Sequence, residues 1–201
     1  MEPAKGGAVL TLYFAPGASS MAPHIALNEI GVEFTAIPVS FARQEHRSAA
    51  YLALNPEGKV PTLLVEGRPL TEVAAILFYL ARRFPATRLL PANDDEAEAQ
   101  VLSWMSFIAS TLHPARRQGL DHARTIYALA DRRLGGRYWA ARTYSVADIH
   151  LFRLFWRFRS SFPRAADEMT NLSWHHDRMM ERPAVRRTCE TEAAIGYELP
   201  A

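Results

Sequence analysis

The strongest constraint on what this chain can fold into is the order of its hydrophobic periods. Between Ala8 and Phe84 the pattern alternates between extended and helical, and from Asp94 onward it stays helical. Ala8 to Phe14 (AVLTLYF) is rich in β-formers and predicts a strand. Ala22 to Ile30 predicts a helix, with Pro23 tolerated in its first turn and Gly31 at the stop position. Glu33 to Val39 (EFTAIPV) predicts a second strand, and Pro38 assigns it to an edge or a strand end. Residues 40–54 suggest only a short irregular helix. Thr62 to Val65 gives a third strand, and Glu66-Gly67-Arg68 turns into a short fourth. Thr71 is placed to cap a helix in which Val73, Ile76, Leu77, Leu80 and Phe84 share one apolar face.

A strand-helix-strand start implies a right-handed parallel crossover. The later hairpin adds an antiparallel pair, so the first half reads as α/β with a mixed four-stranded, thioredoxin-like sheet. Residues 85–93 are looser in composition and read as a linker. Beyond them Asp94 or Asp95 caps a long helix whose Val101, Trp104, Met105, Ile108 and Leu112 share a face. Pro114 should kink or end it, having no amide to donate. A further helix runs from about 121 to 134 and stops at Gly135-Gly136. Ser145 and Asp148 have capping-box spacing, with Asp in place of the usual Glu. The helix they open (VADIHLFRLFWRF) is apolar nearly all round, which places it centrally. Two shorter helices, split by Pro183, finish the chain. The expected division is a tail over 1–8, an α/β domain over 9–84, the linker over 85–93 and an all-α domain over 94–201.

At 201 residues and 49% hydrophobic, the chain can bury a sizeable core. Its formal charge of +2 gives no electrostatic footprint for nucleic acid or an anionic membrane. No apolar run approaches the roughly 18–20 residues of a membrane span, and the first residues lack the apolar core of an export signal. The single cysteine, Cys189, excludes an internal disulfide framework and fits a reducing cytoplasm.

Three stretches carry candidate chemistry. Ser19 and Ser20 follow Pro16-Gly17 at the start of the first helix. Either hydroxyl suits a helix cap. The same place offers free amides and a partial positive charge, which would favour a ligand's thiolate. A free thiol has a pKa of about 8.5, and each unit of lowering needs about 1.4 kcal/mol of preference for the anion. Asn55-Pro-Glu-Gly-Lys-Val-Pro61 is a rigid turn leading into a strand; a cis Val60-Pro61 bond would turn the Val60 backbone outward to pair with an extended peptide. Glu72, at a helix start, either complements the helix dipole or grips a ligand's ammonium.

These stretches taken together carry a resemblance. YFAPGASSMAPHIAL, NPEGKVPTL, LTEVAAILFYL and YSVADIHLF, in this order and at these separations, resemble a cytosolic glutathione S-transferase, and within that family the bacterial beta class. The likeness runs from Thr11 through almost the whole chain. It implies a thioredoxin-like domain followed by an all-α domain, a cytoplasmic homodimer, and glutathione as co-substrate with no metal. It implies that Pro61 is cis, that the Val60 backbone pairs with the cysteinyl part of glutathione, and that Glu72 and Val73 face its γ-glutamyl end. WMSFIASTLH resembles the segment that closes over glutathione, which adds Ser106, Ser110 and His113, the last to orient glutathione or shuttle a proton. Ser145 and Asp148 would form a folding cap.

The departures from the family pattern are specific. Beta-class members usually have cysteine where this chain has Ser19. A serine forms no mixed disulfide with glutathione, but it can donate a hydrogen bond to a thiolate; Ser20 is an equal candidate. Val73 replaces a small or hydroxylated residue, Gln44 stands near a usual lysine, Ser106 replaces Asn, and Pro114 replaces a basic residue. The expected activity is conjugation of the glutathione thiolate to small apolar electrophiles. The alternatives are a non-catalytic binding protein of the same fold and a glutathione-dependent isomerase or dehalogenase. His175-His176-Asp177 lacks the partners of a metal site. Arg153 and Arg157, set among aromatics, are expected to form an ion-pair stripe or to meet the other domain. Cys189 reads as a buried thiol.

Overall fold

The structure is a computed structural model that describes residues 9–198. The tail expected over 1–8 lies outside the described residues. Strands β1 (Leu10–Phe14), β2 (Thr35–Pro38), β3 (Thr62–Val65) and β4 (Arg68–Thr71) form one sheet in the order β2-β1-β3-β4. β1 and β2 are parallel, with Tyr13 opposite Ile37, and the other two pairings are antiparallel. The parallel pair is joined through helix α1 (Met21–Ile30), as the opening strand-helix-strand pattern requires. β2 is an edge strand, which is where Pro38 is tolerated.

One sheet face (Leu10, Leu12, Phe14, Leu63) packs on α1 and on α3 (Val73–Arg83). The other face carries the short helix α2 (Ala49–Leu54), whose Tyr51 meets Tyr13 edge-on at 5.7 Å. Ser48 caps α2 by accepting from the Tyr51 amide, so residues 40–54, unclear in sequence, hold a 3-10 turn (Glu45–Arg47) and a capped helix. Thr71 does not cap α3. It ends β4, and Glu72 takes the turn instead, with no side-chain cap bond.

The remaining chain is helical: α4 (Asp95–Phe107), α5 (His113–Ala115), α6 (Leu120–Leu134), α7 (Val146–Ser161), α8 (Pro163–Ala166), α9 (Thr170–Met180) and α10 (Pro183–Ile195). Asp94 is the residue that caps α4, accepting from the Ala97 amide at 2.9 Å. Between α4 and α5 the chain widens into a π-helical turn, Ile108–Leu112. Pro114 has no amide to offer the carbonyl four residues back, so the regular ladder cannot continue there. Helix α8 is an addition to the two final helices expected.

Helix α7 is buried along most of its length, as its uniformly apolar sequence requires. Ser145 and Asp148 form the expected capping box at its start. α1 is buried between the sheet and the helical half, so a single core cluster runs from Leu10 to Val185 across both. Polar contacts cross the same seam. Arg182 meets Glu29 at 2.6 and 2.9 Å, and Tyr144 donates to Glu29 at 3.0 Å. Arg153 meets the other domain rather than an ion-pair stripe.

Candidate active site

The loop between β1 and α1 makes a tight turn that commits its two serines to different roles. Gly17 has φ of +72°, a conformation open to glycine at little cost. Ser20 is fully buried, and its Oγ accepts from the Ala15 amide and donates to the Ala15 carbonyl, both at 3.1 Å. It therefore closes the turn on itself. Neither serine caps α1 in the usual sense, because the Ser20 hydroxyl looks backward along the chain. Ser19 Oγ points the other way, donating to the Val60 carbonyl at 3.1 Å, and Ser19 lines a cavity.

The helical half holds this loop in place. The Glu192 carboxylate accepts from the Gly17 amide at 2.7 Å and meets His24 Nδ1 at 2.8 Å. Arg153 donates to the carbonyls of Gly17 at 2.8 Å and Ala18 at 3.0 Å. Burial lowers the Arg153 guanidinium to about 10, which leaves it cationic at neutral pH. So the position of Ser19 is set by side chains more than 130 residues away.

Opposite Ser19 lies the turn ending in Pro61, and the Val60-Pro61 bond is cis. Tyr51 Oη and Asn55 Nδ2 both donate to the Lys59 carbonyl, at 2.7 and 2.8 Å. Gly58 (φ +62°) is obligatory, since a Cβ there would lie 2.8 Å from Arg47 and 2.9 Å from the His46 carbonyl. Glu72 lines the same cavity with φ of +66°. A non-glycine residue in that region costs on the order of 1–2 kcal/mol, a strain typical of functional positions.

The cavity measures about 210 Å³. It brings together Ser19, Val60, Pro61, Glu72, Val73 and His113 of the residues expected from sequence. It does not include Ser20, Gln44, Ser106 or Ser110. Gln44 sits in an exposed turn at φ +58°, and Ser110 Oγ is occupied by the Ser106 carbonyl at 2.8 Å. The cavity adds Ala109, Arg117 and His150, which sequence reasoning did not single out, and Pro114, which it read only as a helix break and a departure from the family pattern. His150 lies within the apolar run of α7 and reads there as a core position; only its packing places it at the cavity.

A family model for the glutathione S-transferase N-terminal domain matches residues 8–82, the segment holding Ser19, Val60 and Glu72. Glutathione S-transferase GST-4.5 of Xanthomonas campestris pv. campestris is 34% identical over 164 residues, covering 71% of this chain and 79% of its own. The chain belongs to the glutathione S-transferase family. Two solved structures extend the likeness across both halves. One is a sphingomonad glutathione S-transferase complexed with glutathione, 33% identical, covering 91% of this chain and 98% of its own, with a TM-score of 0.79. The other is a beta-class glutathione S-transferase of Sphingomonas chungbukensis, 32% identical, covering 90% and 98%, also at 0.79. The thioredoxin-like domain followed by a helical domain is thus the glutathione S-transferase fold.

In this family member the two cavity histidines are held neutral. Burial is the main cause at His113, reinforced by Arg153, Arg117, Arg116 and Lys59, and its pKa falls to about 4. Burial likewise dominates at fully enclosed His150, followed by His113 and Arg153, and its pKa falls to about 3. Both values lie below the ordinary histidine value of about 6.5. Between the folded and unfolded values the unfolded chain binds more protons, so stability falls as pH drops from 6.5 towards 4. Urea unfolding at stepped pH should show this loss, and His150→Phe should reduce the proton uptake on unfolding by about one near pH 5. An unchanged slope would mean His150 is not buried in its neutral form. Among the described residues no cluster of His, Cys, Asp and Glu is arranged to hold a metal, and His175 is instead bonded to Asp148 at 3.0 Å. Burial, then Glu192 and Glu190, pushes the Cys189 thiol up to about 11, which suits a packed, unreactive group.

Proposed function

We propose that this protein is a glutathione transferase of beta-class type in which Ser19, not cysteine, stabilises the thiolate. The observation that carries the reading is the Ser19 hydroxyl, 3.1 Å from the Val60 carbonyl at the edge of the cavity. An extended peptide laid along Val60 in β fashion brings its central side chain to that hydroxyl. The hydroxyl then turns from the Val60 carbonyl to the sulfur, where a charge-assisted bond is the stronger one. Glu72, which lines the same cavity, takes the ammonium end of glutathione in this reading. His113, neutral and in the same cavity, has a ring nitrogen that can accept or return a proton. Serine attacks nothing in this scheme; the glutathione sulfur forms the new bond, and the electrophile's leaving group departs with the electron pair.

Support comes from the family, from the cis Val60-Pro61 turn and from the glutathione bound in the sphingomonad relative. A cytoplasmic homodimer is part of the same proposal; the cytoplasmic part is consistent with a single free cysteine, Cys189. A non-catalytic role is the second reading. It is favoured by Val73, which brings no hydroxyl to the cavity, and by Ser106 and Ser110 lying outside it.

Ser19→Ala is expected to raise the pKa of the bound thiol by about one unit or more and to lower kcat/KM for 1-chloro-2,4-dinitrobenzene by about 10–100-fold. The thiolate's ultraviolet absorbance, titrated with pH, reads the first effect directly. Ser20→Ala should instead cost about 1–3 kcal/mol of stability by orphaning the buried Ala15 amide. A thiol pKa that does not move in Ser19→Ala would reject the proposed role, and binding without turnover across a panel of electrophiles would favour the second reading.

A further inference from the structure

The helical wall of the cavity carries polar groups that lack partners. His113, Pro114, Arg117 and His150 line that wall, with Ala109 beside them. His150 is 1% exposed, and neither of its ring nitrogens has a hydrogen-bond partner. A buried polar group without a partner is rare and calls for an explanation, commonly a ligand or an ordered water. Behind the wall, Arg116 donates to Ser161 and leaves its Nε buried and unpartnered. Among the described residues no carboxylate pairs with Arg116, Arg117, His113 or His150. The acidic residues of the cavity, Glu57 and Glu72, belong to the other domain, and Glu57 is held by Lys59 at 2.6 Å.

We propose that the second substrate, seated beside glutathione, carries a carboxylate that His150, His113 and Arg117 receive. The inference rests on the transferase reading and narrows its substrate class. A purely apolar electrophile would cover His150 and leave both its nitrogens without partners, which is unfavourable in a dry site. A carboxylate accepts from an imidazole N–H and gains from the guanidinium of Arg117, the one wall cation exposed enough to swing onto it. Ala109 and Pro114 supply the apolar surface for the body of such a molecule. Small unsaturated or aromatic acids fit this chemistry.

The test is calorimetric titration of the full-length protein with 4-nitrobenzoate and with nitrobenzene, each with and without saturating glutathione. The carboxylate is expected to bind at least about tenfold more tightly than the neutral ring, and glutathione is expected to leave its site free. His150→Phe and Arg117→Gln should each cut that affinity by about five- to tenfold. His150→Phe should melt no lower than the parent, because it removes an unsatisfied buried group. Equal affinities for the two rings, indifference to both substitutions, or displacement of 4-nitrobenzoate by glutathione would overturn the proposal. The last outcome would assign the wall to glutathione's own carboxylate. Arg117 is exposed, so Arg117→Gln decides the matter even where His150→Phe folds poorly. If glutathione itself fails to bind, the transferase reading falls, while the titration of the protein alone still decides the anion site.

Discussion

Asp148→Ala is expected to lower the free energy of unfolding by about 3–5 kcal/mol. The Asp148 carboxylate is fully buried at the start of α7 and accepts four hydrogen bonds. They come from the amides of Ala140 at 2.7 Å and Ser145 at 2.9 Å, from Ser145 Oγ at 3.1 Å and from His175 Nε2 at 3.0 Å. Truncation strands all four donors in a site that water does not reach, and each buried donor left unpaired costs about 1–3 kcal/mol. The groups joined come from three places: the segment before α7, the α7 cap and the middle of α9. Their loss should therefore loosen the whole helical domain rather than fray one helix end. For a chain of this size the melting temperature should fall by roughly 6–20 °C. Ser145→Ala, which removes an ordinary cap, should cost only about 1 kcal/mol. A loss in Asp148→Ala no larger than in Ser145→Ala would show that the carboxylate is a cap and not a hub.

Glu192→Ala should damage stability and activity together. Its carboxylate is 0% exposed, carried on α10, and bonded to the Gly17 amide and to His24. Its negative charge is also among the influences that favour the charged form of the buried Arg153 guanidinium. Removing it leaves the Gly17 amide and His24 without their partner and Arg153 without an opposing charge, at about 3–4 kcal/mol in all. The loop that carries Ser19 loses the clamp from the helical domain, and a misplacement of about 1 Å can cost on the order of 100-fold in rate. We expect kcat/KM to fall by at least about tenfold, with the pKa of bound glutathione drifting back towards that of the free thiol. Glu192→Gln keeps an acceptor for the Gly17 amide and should recover most of the activity. Full activity in Glu192→Ala at a temperature where the protein stays folded would show that β1 and α1 position Ser19 without help.

These two residues mark different degrees of legibility. Asp148 stands in a local motif, Ser145-x-x-Asp148, whose geometry repeats within one helical turn, so its capping role could be read from spacing. Its bond to His175 could not, because 27 residues separate them. Glu192 has no local signature at all. It stands on a helix with exposed neighbours and looks like a solvated acid until packing brings it to Gly17, 175 residues away. The division between Ser19 and Ser20 is of the same kind. Both suit a helix start, and only the direction of the backbone at that turn sends one hydroxyl to Ala15 and the other to Val60.

Local chemistry by itself determined the alternation of strands and helices, the cap at Ser145 and the interruption at Pro114, and it narrowed Pro38 to an edge or a strand end and the α4 cap to Asp94 or Asp95. Each depends on steric or hydrogen-bonding preferences that act within a few residues. Family membership was legible for a related reason: several short motifs keep their order and separation. Only the tertiary structure decided which polar groups face the cavity, that two histidines there are neutral, and that among the described residues no carboxylate pairs with the arginines of the helical wall. Those properties depend on burial and on distances between groups remote in sequence, which no periodicity encodes.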